Sequence, residues 1–221
     1  MDKNQSNILP EETIQILKET FKEMTKKVVL EVFLRDKKED QFSIFTYEFI
    51  KALSRITDKI DVRFYKENSG ITKEKGIKRF PTILISPDKY KISYIGSPLG
   101  EEARTLIMAI LLVSNTGSII PYEALKRLAT LREKRLIQVF VSPTCPYCPQ
   151  QALNAVSAAI AYPDLMHAEI IEMYENRDYI DKYHIITVPF TVINGIPIGT
   201  GLKPAEIFVE EVIYLTSPEK V

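Results

Sequence analysis

The sequence predicts an α/β protein made of two tandem units, each a mixed β-sheet covered by helices. The first observation is a repeat, because Val32-Phe33-Leu34 recurs as Val139-Phe140-Val141 at an offset of 107 residues. Phe80-Pro81-Thr82 matches Val188-Pro189-Phe190 at an offset of 108, so one inserted residue separates the two alignments. The second observation is that the order of helical and extended patterns is the same in both halves. Self-similarity of this kind indicates internal duplication.

In the first half, apolar residues recur at three- and four-residue steps where we expect helices and in short runs where we expect strands. The predicted helices cover residues 9–26, 42–56 and 100–113, and the predicted strands cover residues 28–34, 61–65, 80–85 and 91–95. Residues 114–118 are small and polar, which is typical of a linker. We therefore place the unit boundary there, with one unit at residues 1–116 and the other at 117–221.

The second half repeats this order. Its predicted helices cover residues 121–134, 149–160, 176–183 and 204–215, and its predicted strands cover residues 136–141, 166–173, 189–193 and 196–198. The pair Asn194-Gly195 between two apolar runs predicts a tight hairpin. A β-α-β start requires a right-handed crossover between parallel strands, and the hairpin adds an antiparallel pair. Each unit is therefore expected to contain a mixed sheet.

Composition excludes several classes of function. The chain has 221 residues, with 29 basic and 29 acidic side chains, so no overall charge favours nucleic acid or an anionic membrane. No apolar run approaches the roughly 20 residues of a membrane span. The polar amino terminus has no apolar signal core, so we expect a cytoplasmic protein. Thiols are mostly reduced in the cytosol, which favours a catalytic or metal-binding role for paired cysteines.

Both cysteines of the chain, Cys145 and Cys148, follow the apolar run 136–141 and precede a helical pattern. Two sulfurs at this spacing can close into a disulfide. Cys145 lies at the helix start, where free N–H groups and the macrodipole favour a thiolate, which is the form that attacks disulfides. We therefore predict that Cys145 attacks and Cys148 resolves.

Other roles for the cysteine pair stay open at this point. A zinc site needs four ligands, and His167 and His184 lie too far apart for the usual histidine spacing. An iron–sulfur cluster shared between two chains is a second alternative. A third is an interaction protein in which the cysteine pair has no chemical role.

The segment Ser142-Pro143-Thr144-Cys145-Pro146-Tyr147-Cys148-Pro149, together with Thr187-Val188-Pro189 and Val192-Ile193-Asn194-Gly195, resembles the thioredoxin/glutaredoxin superfamily. The duplicated arrangement is similar to the tandem glutaredoxin-like protein disulfide oxidoreductases. Typical members carry a cysteine pair in each half, whereas here Lys38 and Gln41 occupy the first-half positions. The amino-terminal unit of alkyl hydroperoxide reductase flavoproteins also combines one inactive and one active half.

This resemblance implies the remaining parts of the site. A cis Val188–Pro189 bond is expected to face the sulfurs and to expose the Val188 backbone to an extended substrate, while Pro146 and Tyr147 tune the pair and shape its rim. Glu172 is either a solvated strand residue or a partly buried carboxylate near Cys148 that accepts its proton. Phe80-Pro81 is expected to preserve the same bend without thiols.

The expected activity is thiol–disulfide exchange that reduces or forms protein disulfides and needs no bound cofactor beyond the redox-active Cys145–Cys148 disulfide. The external reductant is a flavoprotein of the thioredoxin-reductase type or glutathione. Alternatives are a glutathione-dependent glutaredoxin and an electron-delivery module for a peroxidase. The first unit is expected to widen the binding surface or to fix a homodimer, and its charged loop 35–40 is a possible docking patch.

Overall fold

The computed structural model describes residues 8–36 and 39–215, and the strands in this part of the chain form a single mixed β-sheet. The strands are β1 Val28–Leu34, β2 Ile60–Lys66, β3 Thr82–Ile85, β4 Lys91–Ile95, β5 Arg135–Val141, β6 Met166–Glu172, β7 Phe190–Ile193 and β8 Ile196–Thr200. All eight correspond to predicted strands. Lys38, the predicted counterpart of Cys145, lies outside the described residues.

Helices cover the sheet. They are α1 Glu11–Lys22, α2 Gln41–Ile56, α3 Gly70–Glu74, α4 Glu101–Asn115, α5 Tyr122–Leu125, α6 Cys148–Ala161, α7 Asp178–Tyr183 and α8 Ala205–Tyr214. Within the described ranges, none of these helices combines the length and apolarity that crossing a membrane requires.

The continuous helix predicted over residues 121–134 is wrong. The chain forms the short α5 and then a 3₁₀ helix, Lys126–Thr130, before Leu131 turns to an extended conformation. Leu128 and Leu131 are both buried, and the Leu131 N–H donates to the Leu128 carbonyl at 3.1 Å. Residues three apart share a face in a 3₁₀ helix as they do in an α-helix, so the apolar spacing could not distinguish the two.

The strand order is β2-β1-β3-β4-β6-β5-β7-β8, so each half contributes four neighbouring strands in the same relative order. In each half the first strand pairs in parallel with the second and antiparallel with the third, and the last two strands form an antiparallel hairpin. The two sets join through β4 and β6, which pair in parallel from Lys91–His167 to Ile95–Ile171. The predicted mixed sheets of the two units are therefore continuous in one sheet.

Helices α4 and α6 pack side by side and run in the same direction. At one end the Glu101 N–H donates to the Pro143 carbonyl at 2.9 Å, and at the other the Ile119 N–H donates to Ser157 Oγ at 3.0 Å. The amino termini of both helices thus lie together beside Pro143. This arrangement places the start of a first-half helix against the loop that carries Cys145.

The segment predicted as a linker is packed against the first half at its start. Helix α4 continues through Asn115, and the buried Ser114 hydroxyl donates to the Lys26 carbonyl at 2.6 Å. Asn115 Oδ1 accepts from the Thr25 N–H at 3.0 Å. The position of the boundary between residues 116 and 117 stays a prediction.

Arg79 forms a further link between the halves. Its guanidinium donates to Asn176 Oδ1 at 3.0 Å and to Asp178 Oδ1 at 2.9 Å, and lies 4.2 Å from the centre of the Tyr179 ring. The pKa of Asp178 is lowered, chiefly by its hydrogen bond from Arg79. The halves are therefore held together by backbone pairing, helix packing and this cation.

Gly100 permits the close approach of α4 to the cysteine loop, which gives a first prediction. Its φ is +57°, and a Cβ there would overlap the Pro143 carbonyl oxygen. Gly195 also has a positive φ, +79°, but a Cβ there would meet nothing within 4 Å. We expect Gly195→Ala to lower the free energy of unfolding by about 1 kcal/mol and Gly100→Ala to lower it by clearly more. Urea unfolding of both variants measures the difference, and equal losses would contradict the proposed helix–loop contact.

Candidate active site

The two cysteines lie in the connection from β5 to α6. Strand β5 ends at Val141, and the Cys145 N–H donates to the Ser142 carbonyl at 3.1 Å, which closes a turn. Cys148 is the first residue of α6, and its N–H donates to the Cys145 carbonyl at 3.3 Å. The sulfurs are joined in a disulfide, with the Cα atoms 5.4 Å apart. The predicted adjacency of the two thiols is confirmed.

The two cysteines differ in access to solvent. Cys145 is 7% exposed, whereas Cys148 is completely buried. A foreign sulfur can therefore approach Cys145 but not Cys148. This difference supports the predicted roles of Cys145 as the attacking thiol and Cys148 as the resolving thiol.

The start of α6 offers donors to a thiolate. Tyr147 occupies the position before the helix, and no side chain caps the free N–H groups of the first turn. Unpaired N–H groups and the positive end of the helix dipole stabilise a nearby negative charge. A thiolate at Cys145 would receive this stabilisation when the disulfide is opened.

The Val188–Pro189 peptide bond is cis, and so is the Phe80–Pro81 bond of the first half. Both predictions are confirmed. Val188 packs against the apolar cluster that includes both cysteines. Its N–H and C=O make no hydrogen bond to another group in the described part of the chain, so both are available to an extended peptide.

Exposed apolar side chains surround this edge. Tyr147 is 63% exposed and Ile186 is 93% exposed, and Pro146 is exposed as well. The positions of Pro146 and Tyr147 beside Cys145 fit the predicted substrate rim. Ile186 was not singled out from the sequence, although it lies two residues before Val188.

Gln151 is a second residue that the sequence did not reveal. It is completely buried on α6, and its Nε2 donates to Thr191 Oγ1 on β7 at 2.9 Å. Its Oε1 accepts from the Lys203 N–H at 3.0 Å. One side chain thus fixes the cysteine helix to the strand after Pro189 and to the segment after β8.

Glu172 is 2% exposed, so the alternative of a solvated strand residue is wrong. It ends β6 beside Val141, the last residue of β5, and its Oε2 accepts from the Glu175 N–H at 2.8 Å. Its other oxygen is buried without a hydrogen-bond partner among the described residues. Burial raises the pKa of Glu172, as expected for a carboxylate removed from water. Its role as a proton acceptor stays a prediction.

Glu102 is a third residue missed by the sequence analysis. It is the second residue of α4 and is completely buried, and its Oε2 accepts from the Tyr94 hydroxyl at 3.1 Å. Burial raises its pKa to about 8. Because α4 and α6 begin together, Glu102 lies at the Cys148 end of this helix pair. In the sequence, Glu101-Glu102 looks like an ordinary acidic first turn, which gave no signal of burial.

The metal alternatives rest on other side chains. Within residues 8–36 and 39–215, no three His, Cys, Asp or Glu side chains are grouped so that they could hold a metal ion. His167 Nε2 lies 3.4 Å from Ser93 Oγ and 3.7 Å from Glu169 Oε1, and His184 is exposed at the end of α7.

Comparison with known proteins agrees with this geometry. A family model described as a thioredoxin domain matches residues 135–214, from β5 through α8. The whole structure is similar to a protein disulfide oxidoreductase from Aeropyrum pernix K1, with a TM-score of 0.84 and 27% identity over 92% of this chain and 91% of that one. The chain belongs to the thioredoxin superfamily of oxidoreductases. The prediction made from the cysteine box is confirmed.

A second group of relatives consists of alkyl hydroperoxide reductases. One from Staphylococcus aureus is 30% identical over 132 residues, covering 58% of this chain and 25% of that protein. The NTD_N/C domain of an alkylhydroperoxide reductase from Enterococcus faecalis has a TM-score of 0.81 and 27% identity, covering 92% of this chain and 99% of that one. The match thus spans about a quarter of the curated relatives and nearly all of this one solved domain.

The buried carboxylates of this thioredoxin-superfamily chain give a second prediction. Burial raises the pKa of Glu102 to about 8 and that of Glu175 and Glu211 to about 7, from the ordinary value of 4.5. A raised pKa means that the folded state binds the proton more tightly than the unfolded state. The resulting stability is complete below about pH 4.5 and is lost as the pH rises through 7 to 8.

We therefore expect the free energy of unfolding to fall between about pH 5 and pH 8, and Glu102→Gln to flatten this fall because glutamine has no proton to lose. Urea unfolding at a series of pH values measures it. Glu206→Gln, at an exposed position of α8, is the matched control. An unchanged pH dependence in Glu102→Gln would be incompatible with a protonated, buried Glu102.

Proposed function

We propose that this chain reduces or forms protein disulfides by dithiol exchange at Cys145 and Cys148. The observation that carries the proposal is the closed disulfide at an uncapped helix start, with one sulfur accessible and the other buried. The adjacent Val188 backbone supports the binding of an extended substrate beside Cys145. This arrangement suits a protein or peptide disulfide better than a small enclosed ligand.

The exchange proceeds in two displacements. The Cys145 thiolate attacks a substrate disulfide, forms a mixed disulfide and releases the first substrate thiolate. Cys148 then loses its proton and attacks the Cys145 sulfur, which closes the bridge and releases the second thiolate. Overall the substrate gains two electrons, the cysteine pair loses two, and one proton leaves Cys148. Run in reverse, the same steps donate a disulfide.

Two buried carboxylates are candidates for the proton from Cys148. Glu172 approaches from the end of β6, as the sequence predicted, and Glu102 approaches from the first half of the chain. Raised pKa values keep both groups close to the range in which a carboxylate can exchange a proton near neutral pH. We infer that the first half supplies acid–base chemistry to the thiols of the second.

The external reductant is proposed to be a flavoprotein of the thioredoxin-reductase type. A second candidate function, electron delivery to a peroxidase, is favoured by the relatives named as alkyl hydroperoxide reductases. Those proteins are about four times longer than the matched region, so their full activity is not transferred here. The division into units 1–116 and 117–221, cytoplasmic location and a homodimer also stay proposals, in which the first unit widens the docking surface.

The cysteines themselves give the third prediction. In insulin reduction by dithiothreitol, we expect Cys145→Ser to lose all catalysis because no attacking sulfur remains. Cys148→Ser should still attack and should accumulate the mixed disulfide, which mass spectrometry detects as a covalent adduct. Wild-type activity in Cys145→Ser would rule out the enzyme and leave the interaction-protein alternative.

The fourth prediction separates the two electron sources. A glutathione-coupled assay with hydroxyethyl disulfide reports glutaredoxin activity, whereas a flavoprotein-coupled assay with NADPH reports reductase coupling. We expect the flavoprotein to support turnover and glutathione to support at least about tenfold less, because the exposed Val188 edge suits a protein partner. Efficient turnover with glutathione would instead establish the glutaredoxin alternative.

A further inference from the structure

The two candidate acceptors are themselves sealed from water. Glu102 has no exposed surface and Glu172 has 2%. A proton received from Cys148 therefore cannot pass directly to solvent from either carboxylate. Repeated turnover needs a route by which this proton leaves.

A continuous group of polar side chains lies at the junction of β4, β6 and α4. The Tyr94 hydroxyl donates to Glu102 at 3.1 Å. Tyr94 and Gly96 project to the same face of the β4 segment, because side chains alternate along an extended chain. A Cβ on Gly96 would lie 2.5 Å from Glu172 Cβ and 3.4 Å from Glu175 Oε1, so both acids pack against this glycine.

These acids retain unused hydrogen-bonding capacity. Among the described residues, Glu102 Oε1, Glu172 Oε1 and Glu175 Oε2 are buried atoms that have no hydrogen-bond partner. A buried carboxylate oxygen without a donor is costly when ionised and favourable when it carries a proton. The group can therefore accommodate additional protons.

Glu175 connects the group to the surface. It is partly exposed, and its Oε1 accepts from the Ser97 N–H at 2.7 Å. Ser97 Oγ in turn contacts the Phe42 carbonyl at 3.5 Å, near the start of α2. Glu175 thus lies where the group meets solvent on the first-half side of the molecule.

We propose that Glu102, Tyr94, Glu172 and Glu175 form a path by which the proton released from Cys148 leaves through the junction between the two halves. The path rests on the proposed dithiol exchange and adds an exit to it. In each reductive cycle the Cys148 thiol gives one proton to the buried acids, and Glu175 gives one proton to water. No electrons move along the path.

The electrostatics of the group fit this role. Burial raises the pKa of Glu102 to about 8 and of Glu175 to about 7, so transfer between them is close to balanced and the two groups exchange a proton near neutral pH. Burial also raises the pKa of Tyr94, which keeps its hydroxyl protonated as a bridge. The other groups that act on these acids are the charged Glu101, Arg177, Asp40 and Arg35 and the hydroxyl of Thr105.

The test compares proton release with disulfide closure in a single turnover of the reduced full chain. The substrate is an aromatic disulfide, whose thiolate leaving groups stay unprotonated near neutral pH and absorb light. A pH-indicator dye in weakly buffered solution reports the proton. In the wild-type protein the two signals should coincide, whereas in Glu175→Gln and Glu172→Gln the proton signal should lag by at least about tenfold.

Two controls separate this path from general effects of acid removal. Glu169→Gln removes a carboxylate from the opposite face of β6, and Glu211→Gln removes a buried acid with pKa of about 7 on α8. Both should release the proton together with closure. If Glu172→Gln fails to fold, Glu175→Gln alone decides, because that residue is partly exposed.

Coincident signals in both path variants would overturn the proton path while leaving dithiol exchange intact. A wild-type protein that releases no aromatic thiolate would instead overturn the proposed function itself. A lag in the two controls equal to that in the path variants would also overturn the path, because the delay would then be independent of position.

Discussion

The complete burial of Cys148 is the constraint on which the rest of the site depends. It leaves Cys145 as the accessible sulfur and protects the mixed disulfide from competing attack until the resolving thiol is deprotonated. It also prevents water from taking the Cys148 proton directly. A protein group must take that proton, and a carboxylate can do so near neutral pH only if its own pKa is raised. The same exclusion of water that buries the sulfur raises the pKa of Glu102 and Glu172.

Packing between the halves produces that exclusion. The parallel pairing of β4 with β6 continues one sheet across the chain, and α4 lies along α6 with both amino termini at the cysteine loop. Gly100 allows α4 to approach Pro143 without a side chain in between. The first half therefore forms one wall of the space around Cys148, although its aligned position Gln41 carries no thiol.

The sequence predicted the strands well because their apolar runs are short, bounded by turn residues and repeated. It predicted the cis Val188–Pro189 bond only through the family resemblance, since X-Pro bonds are rarely cis. It could not predict the β4–β6 pairing, which uses backbone groups common to any strand edge. Glu102 was missed for a related reason: burial by residues distant in the chain leaves no local pattern. The helix predicted over 121–134 failed because its three-residue spacing fits a 3₁₀ helix equally well.

The contacts between the halves are reciprocal, which bears on why a cysteine-free half persists beside an active one. The first half presents the Glu101 N–H to the Pro143 carbonyl, and the second half presents Glu175 to the Ser97 N–H. Removing the first half would therefore expose Cys148 and delete Glu102 while leaving both sulfurs in place. The electron chemistry belongs to the second half alone, whereas the environment that controls its protons is built by both. A second cysteine pair is not needed for the first half to contribute to catalysis, because its contribution is a buried acid and a dry interface.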